Sequence, residues 1–326
     1  MSNKNILVTG GLGILGASLV KKLNSKKSYK IFILDRSKNL KKIKVLELSR
    51  LKNVKIIKGN FNDYRTVFRL IKSKNIEIIF HLGAITQVID AYKSPLETFN
   101  SNILGTINIL ETIRNLKKNI IMIFSSSDKA YGSLMGNAYL ENHQLKGNYP
   151  YDVSKSASDL IVQSYVKTYN LKAGIIRSGN IYGPGDLNMD RLVPHVIISS
   201  LLKKRSILRS NGKLIRDYIY VEDVANAYFI LMKKMINSKE RLKIYNVGSK
   251  ENLTVKNFVK LITKIVNGKE ISPIIKNNSK IEIYRQKLDY RKIKKDLNWS
   301  PKSNFKVSLN TTIEWYKKNL NFFNGK

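Results

Sequence analysis

The sequence predicts an α/β fold: a doubly wound parallel sheet of the Rossmann type, followed by a smaller α/β C-terminal lobe. Three observations predict it. Short apolar, β-branched runs alternate with amphipathic stretches through the first half of the chain. A glycine-rich turn directly follows the first of these runs. After Arg177 the alternation gives way to looser, turn-rich sequence with separate helical segments.

Taken in order, residues 6–8, 31–34, 54–57, 76–80 and 120–124 are short, mostly apolar runs, interrupted only by Lys55 and Glu77, as expected for buried parallel strands. Between them, 17–23, 64–71 and 103–116 carry the apolar spacing of helices, and a helix over 154–169 leads to a further strand at 173–176. Beyond lie a turn at 179–185, helices at 191–203 and 222–235, and a strand at 244–247. Helices near 255–266, 290–297 and 308–318 complete the smaller lobe. The expected division is a dinucleotide-binding domain over 1–176, with parts of 214–247 returning to it, and a substrate-binding lobe over 177–326.

Composition narrows the function classes. With 326 residues and 43% apolar content, the chain can bury a full core. It has no cysteine, which excludes disulfides, thiolate metal sites and a thiol nucleophile, and fits a reducing, cytoplasmic setting. His81, His143 and His195 are far apart and form no metal-ligand cluster. The net charge of +36 comes from basic residues spread from Lys4 to Lys326, with no dense block. That pattern reads as general lysine enrichment, so no nucleic-acid partner is expected, although the field can speed capture of an anionic substrate. Lys4 and the apolar stretch over 6–20 superficially suggest a signal peptide, but four glycines interrupt the stretch. No segment approaches ~20 uninterrupted apolar residues, so no membrane span is expected.

Those glycines have a better explanation. Gly10 permits a tight turn, Gly13 lets backbone approach a pyrophosphate, and Gly16 lets helix and strand pack closely. With Ile14 and Leu15 they place free N–H groups at a helix start, where phosphate is favoured. Asp35, at the end of the second strand, is placed to bind both adenosine ribose hydroxyls, which favours NAD. Arg36 beside it can accept a 2′-phosphate and keeps NADP open. Asn60 and Phe61 fall where an adenine edge can be read, and Asp63 fits a helix N-cap.

Tyr151 and Lys155 are four apart and share one helix face. Alone, such a pair is an ordinary exposed helix couple. With the glycine turn and the run Ser125-Ser126-Ser127-Asp128-Lys129 it points to alcohol oxidation by hydride transfer. A phenol of ordinary pKa near 10 is a poor base at neutral pH, and an adjacent ammonium and a nicotinamide cation both favour phenolate. Ser127 can orient the substrate hydroxyl.

This constellation resembles the extended short-chain dehydrogenase/reductase superfamily, in its NAD-dependent epimerase/dehydratase branch. Further motifs carry the resemblance: His81-Leu82-Gly83-Ala84, Asn100-Ser101-Asn102, Arg177-Ser178-Gly179-Asn180-Ile181-Tyr182-Gly183-Pro184-Gly185, Arg216-Asp217-Tyr218, and Leu297-Asn298-Trp299-Ser300-Pro301 with Asn298 in place of glycine. The resemblance implies a nucleotide-diphosphate sugar as substrate, bound NAD or NADP, and a part in polysaccharide or surface-glycan precursor synthesis. It also implies cofactor contacts from Leu82, Gly83, Ala84 and Asn102, and a homodimer joined through 103–116 and 154–169. Ser127-Asp128-Lys129 most resembles CDP-glucose 4,6-dehydratase-like enzymes, with Asp128 as acid and Lys129 as base. Arg216 is the foremost candidate for the substrate diphosphate, with Asn180 and Arg191 beside it. A 4,6-dehydratase is favoured. A 4-epimerase using the same Ser127, Tyr151 and Lys155 is the alternative, and a catalytically idle dinucleotide-binding scaffold the third possibility.

Overall fold

The computed structural model describes residues 4–133, 136–278 and 283–323. The first half alternates as its sequence predicts. Strand β1 (Lys4–Thr9) leads to helix α1 (Ile14–Asn24), β2 (Tyr29–Asp35) to the short α2 (Leu40–Val45), and β3 (Val54–Lys58) to α3 (Tyr64–Ser73). Then come β4 (Ile78–His81), the short helices α4 (Val88–Lys93) and α5 (Pro95–Phe99), and a π-helical turn over Asn100–Leu104 that runs into α6 (Gly105–Leu116). Next are β5 (Ile121–Ser127), α7 (Pro150–Tyr169) and β6 (Lys172–Ser178). The second half contributes β7 (Asn180–Tyr182), α8 (Leu192–Leu201), β8 (Ile207–Leu208), β9 (Ile215–Arg216) and β10 (Tyr218–Tyr220). It continues through α9 (Val221–Asn237), β11 (Leu242–Val247), β12 (Leu253–Thr254), α10 (Val255–Asn267), β13 (Ile274–Ile275), α11 (Arg291–Leu297) and α12 (Phe305–Lys318). Helices α2, α4 and α5 escape the sequence pattern because five or six residues are too few to display a helical period.

Seven strands form one sheet in the order β11-β6-β5-β4-β1-β2-β3, and every pairing in it is parallel. Successive side chains of each strand point to opposite faces. Ile6 and Val8 therefore join the core under α1 and α9, while Leu7 joins that under α3, α6 and α7. The winding direction reverses between β1 and β4, which opens a crevice at their C-terminal ends. A third core, around Tyr182, Val196, Phe258 and Ile313, supports the lobe that faces this crevice.

One expectation needs correction. The helix predicted at 290–297 does not pack in the smaller lobe. It lies as α11 against β11 and α9, with Ile293 and Trp299 in the same core as Val224 and Tyr228. Burial of the indole draws the chain back: Trp299 is 1% exposed and donates from Nε1 to the Asp223 carbonyl at 3.1 Å. Among the described residues no helix is long and apolar enough to cross a membrane.

Candidate active site

One continuous cleft of about 1880 Å³ runs across the C-terminal ends of the central strands and under the smaller lobe. It exceeds the few hundred to about 1,000 Å³ of an ordinary ligand pocket. Of the candidate catalytic, cofactor-binding and substrate-binding residues, all but Asn102 line it.

At one end lies the glycine turn. Gly10 has φ +68°, and a side chain there would meet the Gly83 backbone at 2.8 Å. A Cβ on Gly16 would stand 2.2 Å from the Gly10 carbonyl oxygen. The turn closes with Gly13 N–H donating to that same oxygen at 3.0 Å. The first turn of α1 carries no acidic residue and no side-chain cap, so its N–H groups remain available to an anion. Asp35 sits at the end of β2, its Oδ1 accepting from the Ser37 N–H at 3.0 Å and hydroxyl at 3.1 Å. Arg36 lies 3.9 Å from Glu97. Phe61 meets His81 edge to face at 5.3 Å and fills the space beside Gly83 and Gly105. His81 pairs through its two ring nitrogens with Thr9 Oγ1 (2.8 Å) and Thr106 Oγ1 (3.1 Å). Burial, helped by the Lys155 charge, pushes its pKa down to about 3, so it stays neutral and acts as a strut under the Leu82-Gly83-Ala84 loop.

Asn102 does something other than line the cofactor end. Its Oδ1 accepts from the Ile85 N–H at 2.8 Å, and its Nδ2 donates to the Ile85 carbonyl at 3.0 Å and to Ser154 Oγ at 2.9 Å. Both ends of the amide are spent clamping the loop after β4 to the start of α7. Asp63 caps α3, accepting from the Arg65 N–H at 2.9 Å.

The centre of the cleft brings β5 and α7 together. Ser127 ends β5, donates to Asp128 Oδ1 at 3.0 Å and accepts from the Lys129 N–H at 3.2 Å. Pro150 opens α7 at a position where its missing N–H costs nothing, so Tyr151 and Lys155 lie in the first turns. Burial pushes the Tyr151 phenol well above its ordinary pKa, and a hydrogen bond with Ser127 pulls the other way. The ammonium of Lys155 does not set up a phenolate, contrary to expectation. It donates instead to the Ser125 carbonyl at 2.8 Å, and burial, opposed by Asp159, takes its own pKa down to about 8. The chain alone therefore keeps Tyr151 protonated.

Asp128 is 2% exposed, and burial raises its pKa against the lowering influence of Lys129 and Ser127. Its Oδ2 has no hydrogen-bond partner among the described residues, and neither do Ser126 Oγ and Asn180 Nδ2. All three residues line the cleft. Buried polar atoms without partners are costly, so this cluster is built for a polar guest. On the far wall, Arg216 Nη1 donates to the carbonyls of Ile215 (3.0 Å) and Ile283 (2.7 Å). Arg191 is not a solvated helix-start charge: it pairs with the buried Asp186 at 3.1 Å and donates to the Ile181 carbonyl at 2.9 Å. The outer end of this wall adds Arg209, Lys276 and Asn278, which sequence reasoning missed because they sit in segments without periodicity.

Comparison with known proteins follows the same lines. The family model described as GDP-mannose 4,6 dehydratase matches residues 7–312. The trifunctional UDP-glucose 4,6-dehydratase/UDP-4-keto-6-deoxy-D-glucose 3,5-epimerase/UDP-4-keto-L-rhamnose-reductase of Arabidopsis thaliana is 30% identical over 97% of this chain and 47% of its own length. The chain thus spans about half the length of that relative. The dTDP-glucose 4,6-dehydratase of Haemophilus influenzae is 27% identical, over 96% of this chain and 97% of its own. Among solved structures, UDP-glucose 4-epimerase from Thermotoga maritima with UDP-glucose superposes with a TM-score of 0.87 at 26% identity, covering 97% and 99% of the two chains. The dTDP-glucose 4,6-dehydratase of Bacillus anthracis in complex with NAD gives 0.85 at 27%, covering 98% of each.

Proposed function

The chain belongs to the GDP-mannose 4,6 dehydratase family, and from that premise we propose that it is a nucleotide-sugar 4,6-dehydratase holding NAD. The observation that carries the reading is Asp128: a buried carboxyl with a raised pKa and an unpartnered oxygen, beside Ser127 and Lys129 on the cleft wall. Burial that raises the pKa of a carboxyl favours its protonated form, the form that can donate a proton. A pocket wall for simple sugar inversion has no use for one.

The residues fit the cofactor. The turn at Gly10, Gly13 and Gly16 with the N–H groups of α1 would hold the pyrophosphate, Asp35 the adenosine ribose, Lys155 the nicotinamide ribose, and the Leu82-Gly83-Ala84 loop the ring. Asp35 supports NAD, and the proximity of Glu97 to Arg36 works against a 2′-phosphate there. When bound, NAD supplies oxidation of a secondary alcohol at C4 of the sugar and reduction later at C6. With its proton lost to solvent, the Tyr151 phenolate would take the proton of the C4 hydroxyl, which Ser127 orients, and the charge of a bound oxidised cofactor would favour that ionised form. The resulting ketone acidifies the C5 proton. Lys129, as the neutral amine, takes that proton, the C5–H electron pair forms the C5–C6 double bond, and the C6–O bond breaks; the proton returns from Lys129 to C5 when C6 is reduced. Asp128 delivers its proton to the departing hydroxyl, which leaves as water. Arg216, Arg191 and Asn180, which line the cleft, would hold the diphosphate, where a guanidinium can chelate two oxygens.

The Ser127-Asp128-Lys129 sequence supports CDP-glucose, whereas the relatives' names carry UDP- and dTDP-glucose. Exposed Leu104 on the π-helical turn and exposed Leu160 on α7 support a homodimer through the segments 103–116 and 154–169. The similarity to the Thermotoga epimerase favours a second reading, 4-epimerisation through the same Ser127, Tyr151 and Lys155. Incubation with CDP-, UDP-, dTDP- and GDP-glucose, followed by mass spectrometry and NMR of the products, separates the two. A 4-keto-6-deoxy sugar supports dehydration. A C4-inverted sugar with no loss of water defeats it.

A further inference from the structure

Lys129 lies in the 3-10 turn after β5, and its Nζ donates to Oε1 of Gln286, a residue 157 positions away, at 3.2 Å. Gln286 is fully buried and does not line the cleft. Its backbone is pinned from both sides. Gln286 N–H donates to the Ile215 carbonyl at 3.1 Å, and Ile215 N–H to the Tyr284 carbonyl at 3.0 Å. Leu288 N–H donates to Asp217 Oδ2 at 2.9 Å, and Tyr139 N–H to the Lys287 carbonyl at 2.8 Å. A side chain on so fixed a backbone loses little freedom by holding an amine in place.

The chemistry of the contact is selective. An amide oxygen accepts from an amine or from an ammonium, the ammonium more strongly, but brings no charge of its own. A carboxylate in its place would favour the ammonium, which cannot take a proton from carbon. An apolar side chain would leave the long lysine stem free to rotate. Other charged groups lie near the pair, among them Arg285, whose buried Nε has no hydrogen-bond partner among the described residues. Asp217 is met by Lys287 at 3.8 Å and by two backbone N–H groups, while Asp128 lies between Lys129 and Arg216. Tyr139 faces the same group of charges.

We propose that Gln286 is a positioning residue for Lys129, holding its amine at the cleft wall without setting a full negative charge against it. The proposal rests on the dehydratase reading, in which Lys129 removes the C5 proton. It assigns a role in that step to a residue outside the cleft, on the segment that also anchors Arg216.

The test compares Gln286→Met and Gln286→Glu with the wild-type protein, using the nucleotide-glucose that turns over and its 4-deuterated and 5-deuterated forms. In Gln286→Met, kcat should fall about tenfold or more, a fraction of the usual worth of a positioned base, with KM within about twofold. The isotope effect from C5 should rise, that from C4 should shrink, and uptake of solvent deuterium at C5 should slow. In Gln286→Glu, which keeps the side-chain shape, the rising limb of kcat/KM should move about one pH unit upward. Melting curves superimposable on the wild type establish that the variants fold. Wild-type C5 exchange in both variants overturns the proposal. So does an even fall in kcat with unchanged isotope effects and pH limb, the signature of a merely structural residue. If the wild-type protein inverts C4 and exchanges nothing at C5, the dehydratase reading itself fails and takes this role with it.

Discussion

Replacing Lys155 by methionine should make the cofactor-free protein more stable at neutral pH while abolishing its chemistry. Lys155 is 5% exposed, and burial lowers its pKa from 10.5 to about 8. That difference corresponds to about 3 kcal/mol of penalty for carrying the charge inside the folded protein. Methionine has a similar length and no charge to desolvate, but it forfeits the bond to the Ser125 carbonyl, worth about 1 kcal/mol. The net gain at pH 7 is therefore about 2 kcal/mol. Its pH dependence follows from the sign of the shift. Between about 8 and 10.5 the unfolded chain binds the lysine proton more tightly than the folded one, so wild-type stability rises with pH across that window. The advantage of methionine should shrink over the same window and be gone by its upper end. Urea unfolding of both proteins, stripped of dinucleotide, at neutral and alkaline pH measures this. Taking the difference between them cancels the tyrosines that also titrate there. A difference that does not change with pH, or a methionine variant weaker at pH 7, would refute the reasoning.

Three further outcomes are expected. Gly16→Ala puts a methyl group 2.2 Å from the Gly10 carbonyl, so the turn must open; dinucleotide affinity by calorimetry should collapse and stability fall by roughly 1–3 kcal/mol, and unchanged affinity would mean that no phosphate rests there. Arg177→Met strips the buried Asp159 of its two-pronged partner at 2.8 and 2.9 Å, and should cost about 3–5 kcal/mol in urea unfolding at constant m-value, with partial recovery on adding Asp159→Leu. Asp128→Asn should slow water elimination by about a hundredfold or more while leaving substrate affinity in place; elimination at the wild-type rate would remove Asp128 from the acid role.

The legible parts of this protein were local ones. Apolar runs marked the strands of the first half, because parallel strands covered on both faces need apolar side chains without alternation. They located β4 only to within two residues at its start. The four-residue spacing of Tyr151 and Lys155 put both on one face of α7, since helix geometry allows nothing else. The glycines announced the turn because their conformations and close contacts exclude a side chain.

Partner choice was not legible. Asn102 carried a motif of cofactor enzymes, yet its amide is consumed by Ile85 and Ser154. Lys155 was expected to act on the phenol four residues before it, and it donates its hydrogen bond to the Ser125 carbonyl instead. Trp299 looked like part of the smaller lobe and packs under the sheet. Gln286 gave no signal at all, because the amine it holds belongs to the turn after β5, more than 150 residues earlier. Local pattern reports backbone conformation and the face a side chain takes. Which buried polar group meets which is settled only when distant segments close around them and water is gone, since each group must then bond to whatever packing has brought within reach.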